Sequence, residues 1–309
     1  MIKVHLYTLL FLVVMLTCDN SFCQEMGFKE IQLTNTEADN RYASYNKEGT
    51  QIVFESNRDG HWQIYTMGID GENQKRLINS TANDRRPKYS PYKNAIIFES
   101  DRNGTSDIFV YYIDSETLKQ LPIHLDLNKH FPEFAPNGME ITFSAESKNG
   151  ASHFYKCSTN GKRLKKILAD NYNNLAPNLS PRGDQLVYFS NKNTQAESNV
   201  IYTKNIITNE ENRLTYFVNN SEYPSWSNNR GSRIVYSAKI NDMLQPEIFI
   251  MRNDGTHKIQ ITYNDFEDIL PVWSPNNINL LITGSRNKHY QICKILLKEP
   301  LSPDQKALD

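Results

Sequence analysis

The sequence is poor in the features that staple a chain, span a membrane or grip a metal. Cysteine occurs only four times in 309 residues, too rarely for the disulfide framework of a small secreted scaffold. No apolar run approaches the roughly 20 residues a membrane helix needs. The formal charge is −1, so there is no global attraction to nucleic acid or to an anionic membrane surface. No basic block carries interleaved aromatics, which argues against a nucleic-acid partner. The histidines show neither H-x-H nor H-E-x-x-H spacing, and no G-x-S-x-G elbow occurs. Beyond the first residues, helical periodicity is missing as well.

Those first residues are distinct. Lys3 and His5 precede the short apolar run from Leu6 to Leu16, and polar Asp19-Asn20-Ser21 follows. This is the pattern of a secretory leader. A cut after Cys23 gives a leader of residues 1–23. Lipidation at Cys18 or Cys23 is the lesser alternative, because Leu16-Thr17-Cys18 and Ser21-Phe22-Cys23 lack the usual upstream leucine and small residue. The expected location is therefore periplasmic or extracellular. Cys157 and Cys293 are the thiols left after cleavage.

What the remainder has is repetition. Pro87-Lys88-Tyr89-Ser90-Pro91 returns as Pro132-Glu133-Phe134-Ala135-Pro136 and as Pro177-Asn178-Leu179-Ser180-Pro181. It returns again as Pro224-Ser225-Trp226-Ser227 and Pro271-Val272-Trp273-Ser274-Pro275, and Ala43-Ser44-Tyr45-Asn46 is a degenerate first copy. The copies are 44 to 47 residues apart. Each is followed by a β-rich run such as Ile52-Val53-Phe54 or Ile96-Ile97-Phe98, whose branched and aromatic residues suit a buried strand. Asx-Gly turns then follow, such as Asp59-Gly60 and Asn103-Gly104, which supply the positive φ of tight hairpins. A second strand of the Ile64-Tyr65 type, another turn such as Asp70-Gly71, and a closing Arg-Leu-Thr strand complete the unit. Four strands per unit of about 45 residues, repeated six times, predict an all-β, six-bladed β-propeller of four-stranded blades over residues 28–297.

One string has no unit in front of it. Ile31-Gln32-Leu33-Thr34 reads as a closing strand, while the sixth copy stops after Ile292-Cys293-Lys294-Ile295-Leu296 and runs into a Pro-containing tail, 298–309. The N-terminal strand is expected to complete the last blade and cover its open edge. Cys157 then falls in blade three and Cys293 in blade six, across the ring from each other and too far apart for a disulfide, which needs Cα atoms within roughly 7 Å.

Pro-x-aromatic-Ser-Pro, then Ile-x-Phe-x-Ser, Arg-x-Gly, Ile-Tyr, Asp-Gly and Leu-Thr resembles the TolB-type propeller repeat, a WD40-like unit. Ser56-Asn57-Arg58-Asp59-Gly60 and Ser100-Asp101-Arg102-Asn103-Gly104 carry the resemblance closely. It extends to the propeller alone, because the repeat begins almost directly after the leader and leaves no stretch for the α/β domain that TolB carries in front. The resemblance implies docking of envelope proteins or peptides on the propeller. A related branch, the oligogalacturonate lyases, uses clustered histidines with a divalent metal; here His61, His124, His130, His153, His257 and His289 fall in different units, and only His130 is placed near the predicted mouth.

Candidate binding residues follow from the fold. The segments before each Pro-x-aromatic string should ring one mouth of the channel: Asp39 and Arg41; Asn83, Asp84, Arg85 and Arg86; Asn128, Lys129 and His130; Asn173 and Asn174; Asn220 and Glu222; Glu267 and Asp268. Arg41, Arg85, Arg86, Lys129 and His130 form a basic arc, and Glu222, Glu267 and Asp268 an acidic one. Such a mouth suits an anionic sugar or a charged peptide tail. The Asx ring offers oxygen ligands for a hard cation such as calcium, though Asx side chains also cap turns there; no cofactor is expected. Arg58, Arg102 and Arg286, at equivalent places after the second strand, read as turn-locking ion pairs. The expectation is a monomeric, exported, non-enzymatic binding or scaffold protein of the cell envelope, with no membrane span once the leader is removed. The alternative is a carbohydrate-active enzyme such as a metal-dependent lyase of acidic oligosaccharides.

Overall fold

The computed structural model describes residues 28–297 apart from 193, 195–197, 217–219, 229, 241 and 242. The expected leader and tail, with Cys18 and Cys23, lie outside the described residues. Twenty-four strands form six antiparallel sheets of four, and the described residues contain no helix. Each sheet is a blade. The inner strands are Asn40–Tyr45, Asp84–Tyr89, Lys129–Phe134, Asn174–Leu179, Asn220–Trp226 and Asp268–Trp273.

The second and third strands of each blade carry the core. Ile52-Val53-Phe54, Ile96-Ile97-Phe98 and Leu186-Val187-Tyr188 are wholly buried. These runs are continuously apolar, without alternation, because neighbouring blades cover both faces of the sheet. Five blades stack an aromatic on the second strand against one on the third: Phe54 on Tyr65, Phe98 on Phe109, Phe143 on Tyr155, Tyr188 on Tyr202 and Tyr236 on Phe249. The ring centroids are 5.6–6.0 Å apart. In the sixth blade Ile282 faces Cys293 at that place. Cys157 and Cys293 are both buried free thiols.

The ring closes as the orphan string predicts. Lys29–Gln32 pairs antiparallel with His289–Leu296 and becomes the outer strand of the sixth blade. Leu33 N–H donates to Ile292 O at 2.8 Å, and Ile292 N–H donates to Thr34 Oγ1 at 2.9 Å. Leu33 is 6% exposed and joins a core cluster with Ile52, Phe54 and Leu281, so the first strand also seals the joint between the first and last blades. Gly71 tightens that joint. Its φ is +88°, and a Cβ there would lie 2.5 Å from Leu33 O, so only glycine fits.

A second device repeats around the ring. Every inner strand is interrupted by a β-bulge. The residue ahead of the proline position, namely Tyr42, Arg86, Phe131, Ala176, Tyr223 and Leu270, has φ between 51° and 56°. Left-handed backbone at a residue with a Cβ costs on the order of 1 kcal/mol. The bulge re-aims that side chain across the channel. Its freed N–H finds a carboxylate on the preceding blade in two cases: Arg86 N–H donates to Glu55 Oε2 at 2.7 Å, and Phe131 N–H donates to Glu99 Oε2 at 3.0 Å.

Candidate functional site: a blind channel with a lysine near its floor

The channel has two mouths. The upper one lies where the inner strands begin, the lower one where they run into the Ser-Pro turns. The candidate residues sit around the upper mouth, and most of them are occupied. Asp39 Oδ1 accepts Tyr290 N–H at 3.0 Å, Asn83 Oδ1 accepts Trp62 N–H at 3.2 Å, Asn128 Oδ1 accepts Ser106 N–H at 3.0 Å, and Asn220 Oδ1 accepts Asn199 N–H at 2.8 Å. Each of these bonds ties the start of one blade to the entry of the third strand in the blade before it. Glu267 receives the Tyr290 hydroxyl, Glu222 Oε1 accepts Asn199 Nδ2 at 2.6 Å, and Asn173 N–H donates to Asn191 Oδ1 at 2.9 Å.

Four candidates are buried between blades. Asp84 takes Arg102 at 2.7 Å, Asp268 takes Arg286 at 3.0 Å, Lys129 Nζ donates to Asp107 at 2.7 Å, and Asn174 Nδ2 donates to Asp170 at 2.7 Å. Arg58 makes the matching contact with Asn40 Oδ1 at 2.8 Å. The repeated arginines therefore clamp the first inner residue of their own blade.

The structure does gather a cationic patch on the upper rim. The Arg41 guanidinium lies 4.1 Å from the Tyr290 ring centroid and 5.3 Å from that of Trp62, and Arg85 lies 5.0 Å from Trp62. Arg41 also pairs with Asp39 at 2.9 Å, and Arg85 stands 3.7 Å from Glu55. Burial pushes the Glu55 carboxyl up despite Arg85 and the Arg86 N–H. Burial pulls Glu99 the same way, but Arg86, His130 Nδ1 at 3.3 Å and the Phe131 N–H together hold it below the usual carboxylate range. The histidines stay apart: among the described residues no three of His, Cys, Asp and Glu converge as ligands would.

Below this rim the bulge residues fill the channel. Tyr42 meets Phe131 and Tyr223 edge-on, with centroids 6.3 Å apart in both pairs. Arg86 lies 5.2 Å over Tyr42 and 4.2 Å over Phe131 while ion-pairing with Glu99. A cavity of about 70 Å³ lies beneath, and Arg86 alone of the upper-rim candidates lines it. That cavity shares Lys88, Glu133, Asn178, Ser225 and Val272 with a chamber of about 440 Å³, which opens at the lower mouth past Tyr45, Tyr89, Phe134, Trp226 and Trp273. The channel is thus a pit, closed above and open below.

The sequence reading missed this pit. Its lining comes from the variable residue between proline and aromatic: Ser44, Lys88, Glu133, Asn178, Ser225 and Val272. Five of these six are polar or charged within an otherwise apolar string, and that is the signal that could have found them. Glu133 is held by Asn178, whose Nδ2 lies 2.8 Å from both carboxylate oxygens. Asn178 Oδ1 in turn accepts Trp226 N–H at 2.9 Å. Enclosure pushes Glu133 up, against the attraction of Lys88 and the Asn178 bond. Enclosure pushes Lys88 down, against the attraction of Glu133. Among the described residues the Lys88 ammonium has no hydrogen-bond or ion-pair partner within 4 Å. Lys88 is half-buried and faces the chamber, and a positive charge there without a direct partner favours an anion that enters the pit.

The family model of the TolB beta propeller domain matches residues 85–277. The chain belongs to the TolB beta propeller family. Solved structures of the same architecture include an Agrobacterium tumefaciens protein assigned to TolB, 13% identical, with a TM-score of 0.66 over 87% of this chain and 96% of that one. TolB from Acinetobacter baumannii is 17% identical, with a TM-score of 0.63 over 92% of this chain and 69% of that one. An oligogalacturonate lyase in complex with manganese is 12% identical, with a TM-score of 0.60 over 89% and 94%. At these identities the likeness is one of fold. The same propeller architecture thus occurs in proteins of different function, and fold alone does not assign a role to this one.

Proposed function

We propose that this protein is an exported, non-enzymatic binding or scaffold protein of the cell envelope, which takes a protein or peptide partner at a mouth of its propeller channel. The observation that carries this reading is the blind pit. A chamber of about 440 Å³ falls in the usual range of ligand pockets, roughly 300–1,000 Å³. It combines an aromatic rim with a few inward polar groups, and aromatic anchors dominate binding surfaces. Export rests on the leader pattern of residues 1–23. No helix of the described residues is long and apolar enough to cross a membrane.

The test is capture of partners from envelope extract by three forms of the protein. Ser44→Trp places bulk in the lower chamber. Arg41→Ala/Arg85→Ala strips the cationic patch from the upper rim. A partner held by wild type and by the double variant, and lost with Ser44→Trp, supports binding in the pit. Loss with the double variant alone moves the site to the upper rim. Equal capture by all three forms overturns a channel-mouth site.

A further inference from the structure

We infer that the pit receives a chain end, and that the free C-terminal carboxylate of a peptide seats on Lys88. The inference rests on the peptide-partner reading above and specifies how the partner is held.

The shape comes first. Tyr42, Phe131, Tyr223 and Arg86 meet across the channel and close it above. A segment entering from below cannot thread through. An internal loop would have to fold back on itself in the narrow inner end, whereas a terminus simply stops there. The donors come next. Five of the six inner strands carry proline at the level just above Lys88, so the wall there is stripped of backbone N–H groups. The Asn178 amide is already spent on Glu133. The Arg86 guanidinium pairs with Glu99 through Nη1, and its unpartnered Nε is sealed off from the cavity. At the inner end Lys88 is left as the cationic donor with free capacity, three N–H groups in all, while Lys47 stands exposed at the outer lip of the chamber over the Tyr92 ring. A carboxylate needs just such a partner when it leaves water.

Glu133 adds selectivity. It stands near Lys88 without pairing to it and faces the same space. A second negative charge beside the bound carboxylate would be repelled, so an acidic last side chain is disfavoured. The rim supplies the remaining contact: Tyr89, Phe134 and Trp273 line the chamber where the preceding residues of a peptide would lie.

The test uses two pools of N-acetylated heptapeptides randomised at every position. One pool carries free C-terminal carboxylates and the other is C-terminally amidated. Each is passed over immobilised wild-type protein and over the Lys88→Met and Lys88→Arg variants, and retained peptides are quantified by mass spectrometry. Melting temperatures confirm that the variants fold, and the Lys88→Arg form keeps the charge. The expected result is about tenfold to a hundredfold better retention of the free-acid pool by wild type, the worth of one enclosed charge-assisted hydrogen bond. That preference should vanish in Lys88→Met and survive in part in Lys88→Arg. The retained peptides should be poor in Asp and Glu at the last position. Equal retention of both pools overturns the inference, and if the envelope partner is still lost with Ser44→Trp the binding reading stands without it. Competition by millimolar acetate or N-acetylalanine as effective as by the peptides also overturns it, in favour of a small carboxylate ligand. A pool preference that persists in Lys88→Met places the carboxylate elsewhere and overturns the assignment to Lys88.

Discussion

Replacing Gln32 with cysteine should lock the ring shut. Gln32 lies directly opposite Cys293 in the register of the closing strand. Directly opposed residues of an antiparallel pair have Cα atoms roughly 4.5–5.5 Å apart and side chains on the same face, within the range of a disulfide. The bond would join residue 32 to residue 293 and so close nearly the whole propeller into one loop. For a loop of that length, chain entropy gives roughly 5–6 kcal/mol of stabilisation. With an unfolding entropy near 2 cal/mol/K per residue, this corresponds to a rise in melting temperature of roughly 10 °C. Half of that would suffice, because native-state strain usually takes a share. Mild oxidation, a thiol count and paired melts of oxidised and reduced protein make the assay. Cys157, buried in the third blade, should remain titratable after unfolding and serves as the internal control. No bond between positions 32 and 293, or an oxidised form that melts lower, would refute this register and with it the closing role of the first strand.

Other consequences are smaller in scope. Arg286 clamps buried Asp268 and reaches Glu30 on the closing strand at 2.7 Å; Arg286→Met should cost about 3–5 kcal/mol by leaving a buried carboxylate unpaired. Lys156→Ala, which removes only a pair with half-exposed Glu140 at 2.9 Å, should cost at most about 1 kcal/mol when both variants are compared by denaturant titration. Gly71→Ala should lower the melting temperature by several degrees, since it combines a forbidden φ with a clash against Leu33 O. Burial raises Glu247 to a pKa of about 7. Its carboxyl keeps its proton in the folded state while the unfolded chain gives it up near the ordinary value. The stability it contributes is therefore full at low pH and is lost as pH rises towards 7, a change on the order of 3 kcal/mol. Glu247→Gln should flatten that slope, and an unchanged difference between the two proteins from pH 4.5 to 7.5 would count against it.

Fold and site differed in how far the sequence disclosed them. The propeller was readable because six copies repeat both the buried runs and the Asx-Gly turns, so that a mistake in one copy is corrected by the others. The closing strand was readable as an ending without a beginning. The mouths were harder. A period-of-two reading from Asp39 or Asn83 into the inner strand assigns side chains to faces by alternation, but the bulge at Tyr42, Arg86 and their equivalents slips that alternation at mid-strand. None of these residues is glycine, so nothing in the sequence announces a left-handed turn. Lys88 and Glu133 consequently look like ordinary variable positions between proline and aromatic. Burial hid the roles of Asp84, Lys129 and Asp268 in the same way: their types suggest a surface, while Arg102, Asp107 and Arg286 draw them between the blades.

The most direct test of a binding pit at the lower mouth is site-specific photo-crosslinking in the envelope. A photo-reactive side chain replaces Tyr89 on the lower rim in one protein and Trp62 on the upper rim in another. An adduct with one partner from position 89, absent from position 62, is the predicted result. An adduct from position 62 alone, or none from position 89, would contradict it.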